Sequence, residues 1–277
     1  MRRDERAVLA RRDALSKDAV LLHFESEGLY RSFLPGQFTM LRLPGRSDLL
    51  LRRPYSFCDA SEDERRFSLL VKVAGPGTEA LAHLPLGEAA DCLGPLGSSF
   101  RLPSRGALPV VVAGGVGIAP FVAFCRALAK RGERAVVLLG GRSVPDLYLR
   151  SEFEELGMNV WTATEDGTHG RTGLVTALLE DVLENSEGGP PIELYSCGPT
   201  PMLIKVAAMA AAKGVPHQVS LERRMGCGMG CCLGCVVYVH ESRSEGAEIS
   251  GEYQRCCTEG PVFDAEKVAW GRDPYPL

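Results

Sequence analysis

Histidine is scarce in this 277-residue chain: five residues, His23, His83, His169, His217 and His240, are scattered along it. No Ser-His-Asp set, metallohydrolase signature or pair of catalytic carboxylates accompanies them. They read as surface or loop residues, and any chemistry belongs to bound cofactors. Charge of one sign is lacking as well. Lys and Arg number 31 against 35 Asp and Glu, a net charge of −4, so no basic field exists to hold nucleic acid. A membrane span is lacking too. The longest uncharged run, Gly106–Cys125, has spanning length, but Gly114, Gly115, Gly117, Pro109 and Pro120 interrupt it. It reads as strand, turn and helix. The N-terminal MRRDERAVLARRD is charged with no apolar stretch behind it, unlike a secretory leader. The expectation is a cytoplasmic protein with no nucleic-acid or membrane partner.

What the chain does have is glycine, proline and clustered cysteine: 31, 18 and 10 residues. Six of the cysteines fall between Cys227 and Cys257. In a reducing compartment such a cluster points to metal rather than to bridges. Cys58, Cys92 and Cys125 read as small buried hydrophobes.

Three textures follow one another. Residues 1–103 carry short alternating runs (Val20, Leu22, Phe24; Phe38, Met40, Arg42-Leu43; Phe67–Val73) punctuated by turns, the pattern of a small antiparallel β-barrel. Residues 104–222 alternate strand and helix. Strands are expected at Val110–Ala113, Val136–Leu139, Val160–Thr164, Ile192–Ser196 and Val219–Leu221. Helices are expected at Pro120–Arg131, Leu149–Leu156, Leu174–Leu183 and Pro201–Lys213. That alternation implies a parallel sheet covered on both faces. Residues 223–277 form a cysteine module with a strand at Val236–His240 and a polar loop over Glu241–Glu252. The fold class is therefore multidomain, β plus α/β, with a small C-terminal module.

The cysteine module is the most specific signal. Cys227, Cys232 and Cys235 have the C-x4-C-x2-C spacing of plant-type [2Fe–2S] proteins, with further cysteine downstream. Gly226, Gly228, Gly230 and Gly234 let the backbone wrap closely and aim N–H groups at sulfur. A structural zinc site using Cys232 and Cys235 with two more sulfurs, or a pair of disulfides, also satisfies the spacing. Cys231 beside Cys232, and Cys256 beside Cys257, leave the ligand set open at this level.

Three further motifs stand at turns. Gly114-Gly115-Val116-Gly117-Ile118-Ala119-Pro120 follows a strand and opens a helix, where a phosphate can approach bare backbone; the plainer reading is a strand-to-helix turn. Cys197-Gly198-Pro199 occupies another carboxyl end of the same sheet, where open α/β sheets bind ligands, although Cys197 can equally be packing. Arg53-Pro54-Tyr55-Ser56 offers a planar fork for a diphosphate, a ring to stack and a hydroxyl donor, against the bland reading of a surface arginine and a core tyrosine. Lys72 and Gly75-Pro76-Gly77-Thr78 add a second backbone approach. Glu165-Asp166-Gly167 reads as a solvated turn.

In this order the motifs resemble the ferredoxin–NADP reductase superfamily. The match is closer to the electron transfer subunits of dihydroorotate dehydrogenase B, through Leu221-Glu222-Arg223-Arg224-Met225-Gly226-Cys227-Gly228 and Cys257-x-x-Gly260-Pro261-Val262-Phe263. The resemblance spans about Val20 to Trp270. It implies an FAD-binding barrel over 1–103, an NAD-binding domain over 104–222 and a [2Fe–2S] module over 223–277. By the same resemblance FAD contacts Arg53, Pro54, Tyr55, Ser56, Leu70, Val71, Lys72, Gly77 and Thr78. Gly114, Gly115, Gly117, Gly198 and Pro199 serve the nicotinamide nucleotide. Cys227, Cys232, Cys235 and Cys257 ligate the cluster, the Gly-Pro-Val-Phe tail selecting Cys257 over Cys256. Cys231 and Cys256 depart from the family pattern.

The implied activity is an electron relay in pyrimidine biosynthesis. A partner subunit oxidises dihydroorotate on FMN, and electrons run through the cluster and FAD to NAD+. The implied assembly is a heterotetramer with two of each subunit. Cys197 and Glu222, each just after a sheet strand, are candidates to flank the nicotinamide. Arg142 could meet a 2′-phosphate and Asp146 a ribose hydroxyl; the family favours NAD. Related reductase subunits of hydrogenase or ferredoxin-dependent transhydrogenase complexes share these motifs. A zinc-bearing interaction protein is the reading from another class.

Overall fold

A computed structural model describes residues 3–186, 188–240 and 250–272. The first part is a closed barrel of β1 (Arg3–Ser16), β2 (Ala19–Glu25), β3 (Phe38–Arg42), β4 (Arg53–Ser61), β5 (Arg66–Lys72) and β6 (Ala89–Leu96), in the order β1-β2-β5-β4-β3-β6. Every pair is antiparallel. One helix, α1 (Pro76–Ala82), links β5 to β6. The charged N-terminus supplies β1, which closes the barrel by pairing with both β2 and β6. Its inward Ala7 and Leu9 are fully buried, while its charges lie outward in ion pairs such as Arg11–Asp13. Two inward apolar residues among many charges make a weak periodic signal, so the sequence pattern begins only at β2.

The second part is a seven-stranded sheet flanked by helices. Its elements are β7 (Leu108–Gly114), α2 (Ala119–Lys130), β8 (Val136–Gly141), α3 (Arg150–Glu155), β9 (Asn159–Thr164), β10 (Arg171–Thr172), α4 (Val175–Glu184), β11 (Ile192–Cys197), α5 (Thr200–Lys213) and β12 (His217–Ser220). With β15 (Val262–Asp264) from the C-terminal part, the order is β10-β9-β8-β7-β11-β12-β15, parallel throughout except at its last member. β7 is buried along almost its whole length because helices cover both faces. Among the described residues no helix is long and apolar enough to cross a membrane.

The third part starts with the cysteine loop and the hairpin β13 (Val236–His240) and β14 (Gly251–Arg255), and ends in β15 (Val262–Asp264). Gly251 and Glu252, expected in a loop, belong to β14; residues 241–249 of that expected loop lie outside the described residues. β15 pairs antiparallel with β12, so the tail of the cysteine module is the seventh strand of the nucleotide sheet. The barrel meets the same tail. Ser98 N–H donates to the Gly260 carbonyl at 2.5 Å, its hydroxyl donates to the Val262 carbonyl at 3.0 Å, and Val262 N–H donates to that hydroxyl at 3.1 Å.

Cys58, Cys92 and Cys125 are buried, as expected of small hydrophobes. His217 is not at the surface. It is 8% exposed on β12, with Nε2 2.7 Å from the Ser196 hydroxyl, and burial drives its pKa down to about 3. Val219 and Leu221 mark the strand, but nothing in one sequence tells that a polar residue at its start faces inward.

Phe100, just after the barrel, plugs the seam. Its ring lies 5.1 Å from Phe121, 5.7 Å from Phe124 and 5.9 Å from Tyr195. Gln218 holds the next residue at both ends, accepting from Arg101 N–H at 2.9 Å and donating to its carbonyl at 3.1 Å. Phe100→Ala is expected to cost about 3–5 kcal/mol, read as a lower denaturation midpoint of the cofactor-loaded chain. An unchanged midpoint would show that the seam carries no stability.

Candidate functional site

The carboxyl ends of β9, β8, β7, β11 and β12 open onto one cleft of about 520 Å³. Gly114, Gly115, Gly198, Pro199 and Glu222 all line it, with Lys72 from the barrel. The two glycine turns meet backbone to backbone. A Cβ on Gly117 would lie 2.5 Å from the Cys197 carbonyl carbon, 2.7 Å from Gly198 Cα and against the Cys197 oxygen. Only hydrogen fits there. Gly115 has φ +53° and open space where a side chain would point, which is what a close-approaching phosphate requires. The apolar wall opposite is Leu174, Val175 and Met202; Met202 belongs to the Cys197–Leu203 motif, but the sequence did not single out Leu174 and Val175. The glycine before Leu174 and the helix after it mark another strand-to-helix junction, the one signal available.

Glu222 faces this cleft and is exposed there, while desolvation by the protein beside it raises its carboxyl pKa. Cys197 is 3% exposed and does not line the cleft. Burial first, and the Glu222 charge second, push its thiol pKa far up. The two candidates are thus neighbours, with the carboxylate at the cleft surface and the thiol behind it.

On β4, Arg53 and Tyr55 share one face by the two-residue period of a strand. The Arg53 guanidinium lies against Gly77, whose Cβ would stand 2.6 Å from Cζ, and Nη1 donates to the Leu51 carbonyl at 2.8 Å. Arg53 has no ion pair among the described residues. Tyr55 is partly enclosed, which pushes its pKa up to about 12. An unpaired fork beside an unbonded phenol suits an anionic ligand that carries a ring. Pro54 and Ser56 are half-buried on the same strand. The Thr78 hydroxyl is engaged locally, accepting from Ala74 and Gly75 N–H at 2.8 and 3.1 Å. Leu70 and Val71 send their side chains into two different cores, so only their backbone is free to meet a ligand.

Lys72 reaches across to the second domain. Its Nζ donates to Asp146 Oδ1 at 3.0 Å and lies 3.8 Å from Asp18. Burial works against its charge, but the bonds to Asp146 and Tyr148 outweigh it and raise the pKa.

The cysteine loop wraps around its own sulfurs. Cys227 Sγ accepts the Met229 N–H at 3.4 Å. Cys232 Sγ lies beside both Gly226 and Gly234, at ordinary contact distance (3.5 and 3.6 Å) from where their Cβ atoms would stand. Burial opposes the Cys227 thiolate, but N–H groups of Met229, Cys232 and Cys231 outweigh it and lower the pKa to about 6. Cys257 is pushed up to about 12 by burial and by Cys235 beside it. Cys227 neighbours Cys232, and Cys235 neighbours Cys257. Among the described residues no three His, Cys, Asp or Glu side chains close on a single metal ion. Sulfurs standing two by two suit a pair of irons, each taking two thiolates. Cys231 is exposed. Cys256 is fully buried, with Sγ 3.2 Å from the Leu221 carbonyl.

Gly117→Ala is expected to force the two turns apart and to raise KM for a nicotinamide nucleotide at least ~tenfold, measured by steady-state dye reduction. A KM within twofold of the parent would contradict the role of that contact.

Comparison with known proteins covers nearly the whole chain. Residues 6–100 match an oxidoreductase FAD-binding domain, 111–208 an oxidoreductase NAD-binding domain, and 222–269 the iron-sulfur cluster binding domain of dihydroorotate dehydrogenase B. The electron transfer subunit of dihydroorotate dehydrogenase B (NAD(+)) from Shouchella clausii (strain KSM-K16) is 36% identical over 265 residues, 95% of this chain and 97% of that one. The corresponding subunit of Desulforamulus reducens is 36% identical over 249 residues, 90% of this chain and 92% of its own. A solved structure of the NADH-dependent reduced ferredoxin-NADP oxidoreductase superposes with TM-score 0.81 at 28% identity, covering 95% of this chain and 90% of that one.

Proposed function

Because the chain belongs to the family of electron transfer subunits of dihydroorotate dehydrogenase B, we propose that it takes electrons from an FMN-containing dihydroorotate dehydrogenase subunit and delivers them to NAD+ in pyrimidine biosynthesis. It is an oxidoreductase subunit with FAD-binding, NAD-binding and iron-sulfur cluster binding domains. The observation that carries the reading is the join between cleft and cysteine loop: Glu222 lines the nucleotide cleft, and Cys227 follows five residues later. The division 1–103, 104–222 and 223–277 assigns one carrier to each part.

The chain's own groups have separable tasks. Arg53 would neutralise the FAD diphosphate, Tyr55 would pack against its ring, and Pro54, Ser56, Leu70, Val71, Lys72, Gly77 and Thr78 would line its path. Gly114, Gly115, Gly117, Gly198 and Pro199 would admit the dinucleotide to bare backbone. Cys227, Cys232, Cys235 and Cys257 would hold the [2Fe–2S] cluster. FAD and the cluster, when bound, supply the conversion between one-electron and two-electron transfer. Glu222 would orient the nicotinamide from the cleft surface, with Cys197 packed behind it. The cysteine loop exposes Met229 and Leu233, and short-range electron transfer makes that face the docking surface for the catalytic subunit, in a heterotetramer of two of each.

The 28% identity to the NADH-dependent reduced ferredoxin-NADP oxidoreductase favours a second reading, a subunit of a transhydrogenase-type complex. The higher identity, 36%, to dihydroorotate dehydrogenase relatives ranks it below the first.

The anaerobically purified chain is expected to show flavin and broad cluster absorption, both bleached by NADH. Colourless protein, or pigment that NADH leaves unchanged, would overturn the reading. Cys232→Ala is expected to lose iron while keeping flavin, and Cys231→Ala to keep about two irons per chain. Glu222→Gln and Cys197→Ala are each expected to slow NADH–dye reduction at least ~tenfold; parental rates would remove that residue from the nicotinamide site. Co-expression with the catalytic subunit and mass measurement checks the assembly.

A further inference from the structure

The cleft contains three candidate cations for a phosphate, Lys72, Arg142 and Lys205, and Asp146 binds two of them, with Asp18 3.8 Å from Lys72 as a second carboxylate. Asp146 Oδ2 accepts from Arg142 Nε at 2.8 Å, and its Oδ1 accepts from Lys72 Nζ at 3.0 Å, Tyr148 Oη at 3.1 Å and Arg142 Nη2 at 3.3 Å. The carboxylate is only 7% exposed, and the Arg142 bonds, with those from Lys72 and Tyr148, hold its pKa far below the usual range. Arg142 itself is mostly exposed at the cleft.

Position along the cleft gives this arrangement its meaning. From β12 to β9 the sheet has four strand spacings of ~4.8 Å, about 19 Å in all, enough to lay out an extended dinucleotide. The nicotinamide end belongs beside Glu222, which leads straight into the cysteine loop. The bare backbone of Gly114 and Gly115 after β7 falls in the middle, where the diphosphate lies. The adenosine end then falls at the ends of β8 and β9. There Glu165 N–H donates to the Gly141 carbonyl and Asp166 N–H to the Arg142 carbonyl, both at 3.1 Å, so Glu165 and Arg142 stand on adjacent strand ends. Glu165 lines the cleft, and its carboxylate makes no hydrogen bond or ion pair among the described residues.

We infer that Asp146 and Glu165 together reject a 2′-phosphate at the adenosine end of the cleft, Asp146 as a positioning residue that locks Arg142 and Lys72, and Glu165 as the free negative charge the phosphate would face. This rests on the proposed nucleotide role of the cleft. The arginine of a phosphate subsite is present but committed to a partner, so NADP is excluded by charge pairing rather than by the lack of a cation.

The test is the ratio of kcat/KM for NADPH to that for NADH, in dye reduction by the flavin-loaded chain. Glu165→Gln is expected to raise the ratio about threefold and the Asp146→Asn/Glu165→Gln double variant at least about tenfold. Adding Arg142→Ala to the double variant should return the ratio to about the threefold gain of Glu165→Gln alone, since the freed guanidinium carries the rest. A double variant with normal flavin content and an unchanged ratio would overturn the inference, as would a gain of about tenfold that survives loss of Arg142. If Asp146→Asn loses flavin, Glu165→Gln alone decides: inhibition by 2′-AMP should tighten relative to 5′-AMP, and an unchanged relative inhibition refutes the proposal. Failure of the parent chain to accept electrons from NADH would sink the nucleotide reading of the cleft instead, before any variant is compared.

Discussion

Three short hydrogen bonds around Ser98 hold the molecule's working geometry. Ser98 leaves the barrel, and its amide and hydroxyl clasp Gly260 and Val262, which follow Cys257. Val262 in turn pairs with Ser220 at the end of β12, two residues before Glu222. Barrel, nucleotide sheet and cysteine loop therefore meet within a few residues of one another. Electron transfer falls off steeply with distance, so carriers held on rigid elements need this kind of junction. The cysteine loop also packs directly on the barrel: a Cβ on Gly228 would stand 3.1 Å from Met40 Sδ and 3.3 Å from Leu96 Cδ1. The loop has no independent core and borrows its rigidity from both larger parts.

The nucleotide cleft is built on the same economy of atoms. Its floor is backbone, because the Gly114–Gly117 and Cys197–Gly198 turns touch where side chains would stand. Its walls are apolar, from Leu174, Val175 and Met202, and its charges are confined to the rim. Lys72 and Asp146 join barrel to sheet at that rim. One ion pair thus contributes both to the relative placement of two domains and to the field a nucleotide meets. Its worth lies in placing charge, since partly exposed pairs add little net stability.

The parts legible in the sequence share a physical property: each is local. Alternation in β2 and β5, the β-branched run of β7, the glycine turns and the C-x4-C-x2-C spacing are all set within a dozen residues. Helices α2, α4 and α5 fall within a residue or two of their expected spans for the same reason. What escaped is non-local. β1 is a strand because β2 and β6 flank it, not because Arg3–Ser16 alternates cleanly. β15 is three residues long and means something only once β12 is beside it. The pairing of Lys72 with Asp146 spans 74 positions, and the burial of His217 depends on Ser196 across the sheet. Arg53, Tyr55 and Gly77 were legible as motif members, but that the guanidinium rests on the glycine is a fact of packing.

The twin cysteines at 256 and 257 have different surroundings in the fold. After β14 the chain makes a turn in which Glu259 and Gly260 N–H donate back to the Arg255 carbonyl. Consecutive residues in such a turn point to different sides. Cys256 goes inward, fully buried in the core with Phe263 and Leu221, its thiol spent on the Leu221 carbonyl. Cys257 goes toward Cys235 and Cys227. Exchanging their roles would mean rotating the turn, which would break the Cys256 N–H bond to the Cys235 carbonyl and displace Pro261, whose carbonyl accepts the Leu221 N–H. Those bonds hold the strand that leads to Glu222. The proposed choice of Cys257 as fourth ligand fits this arrangement, because a thiol one residue away would take its place only by disturbing that cleft's edge.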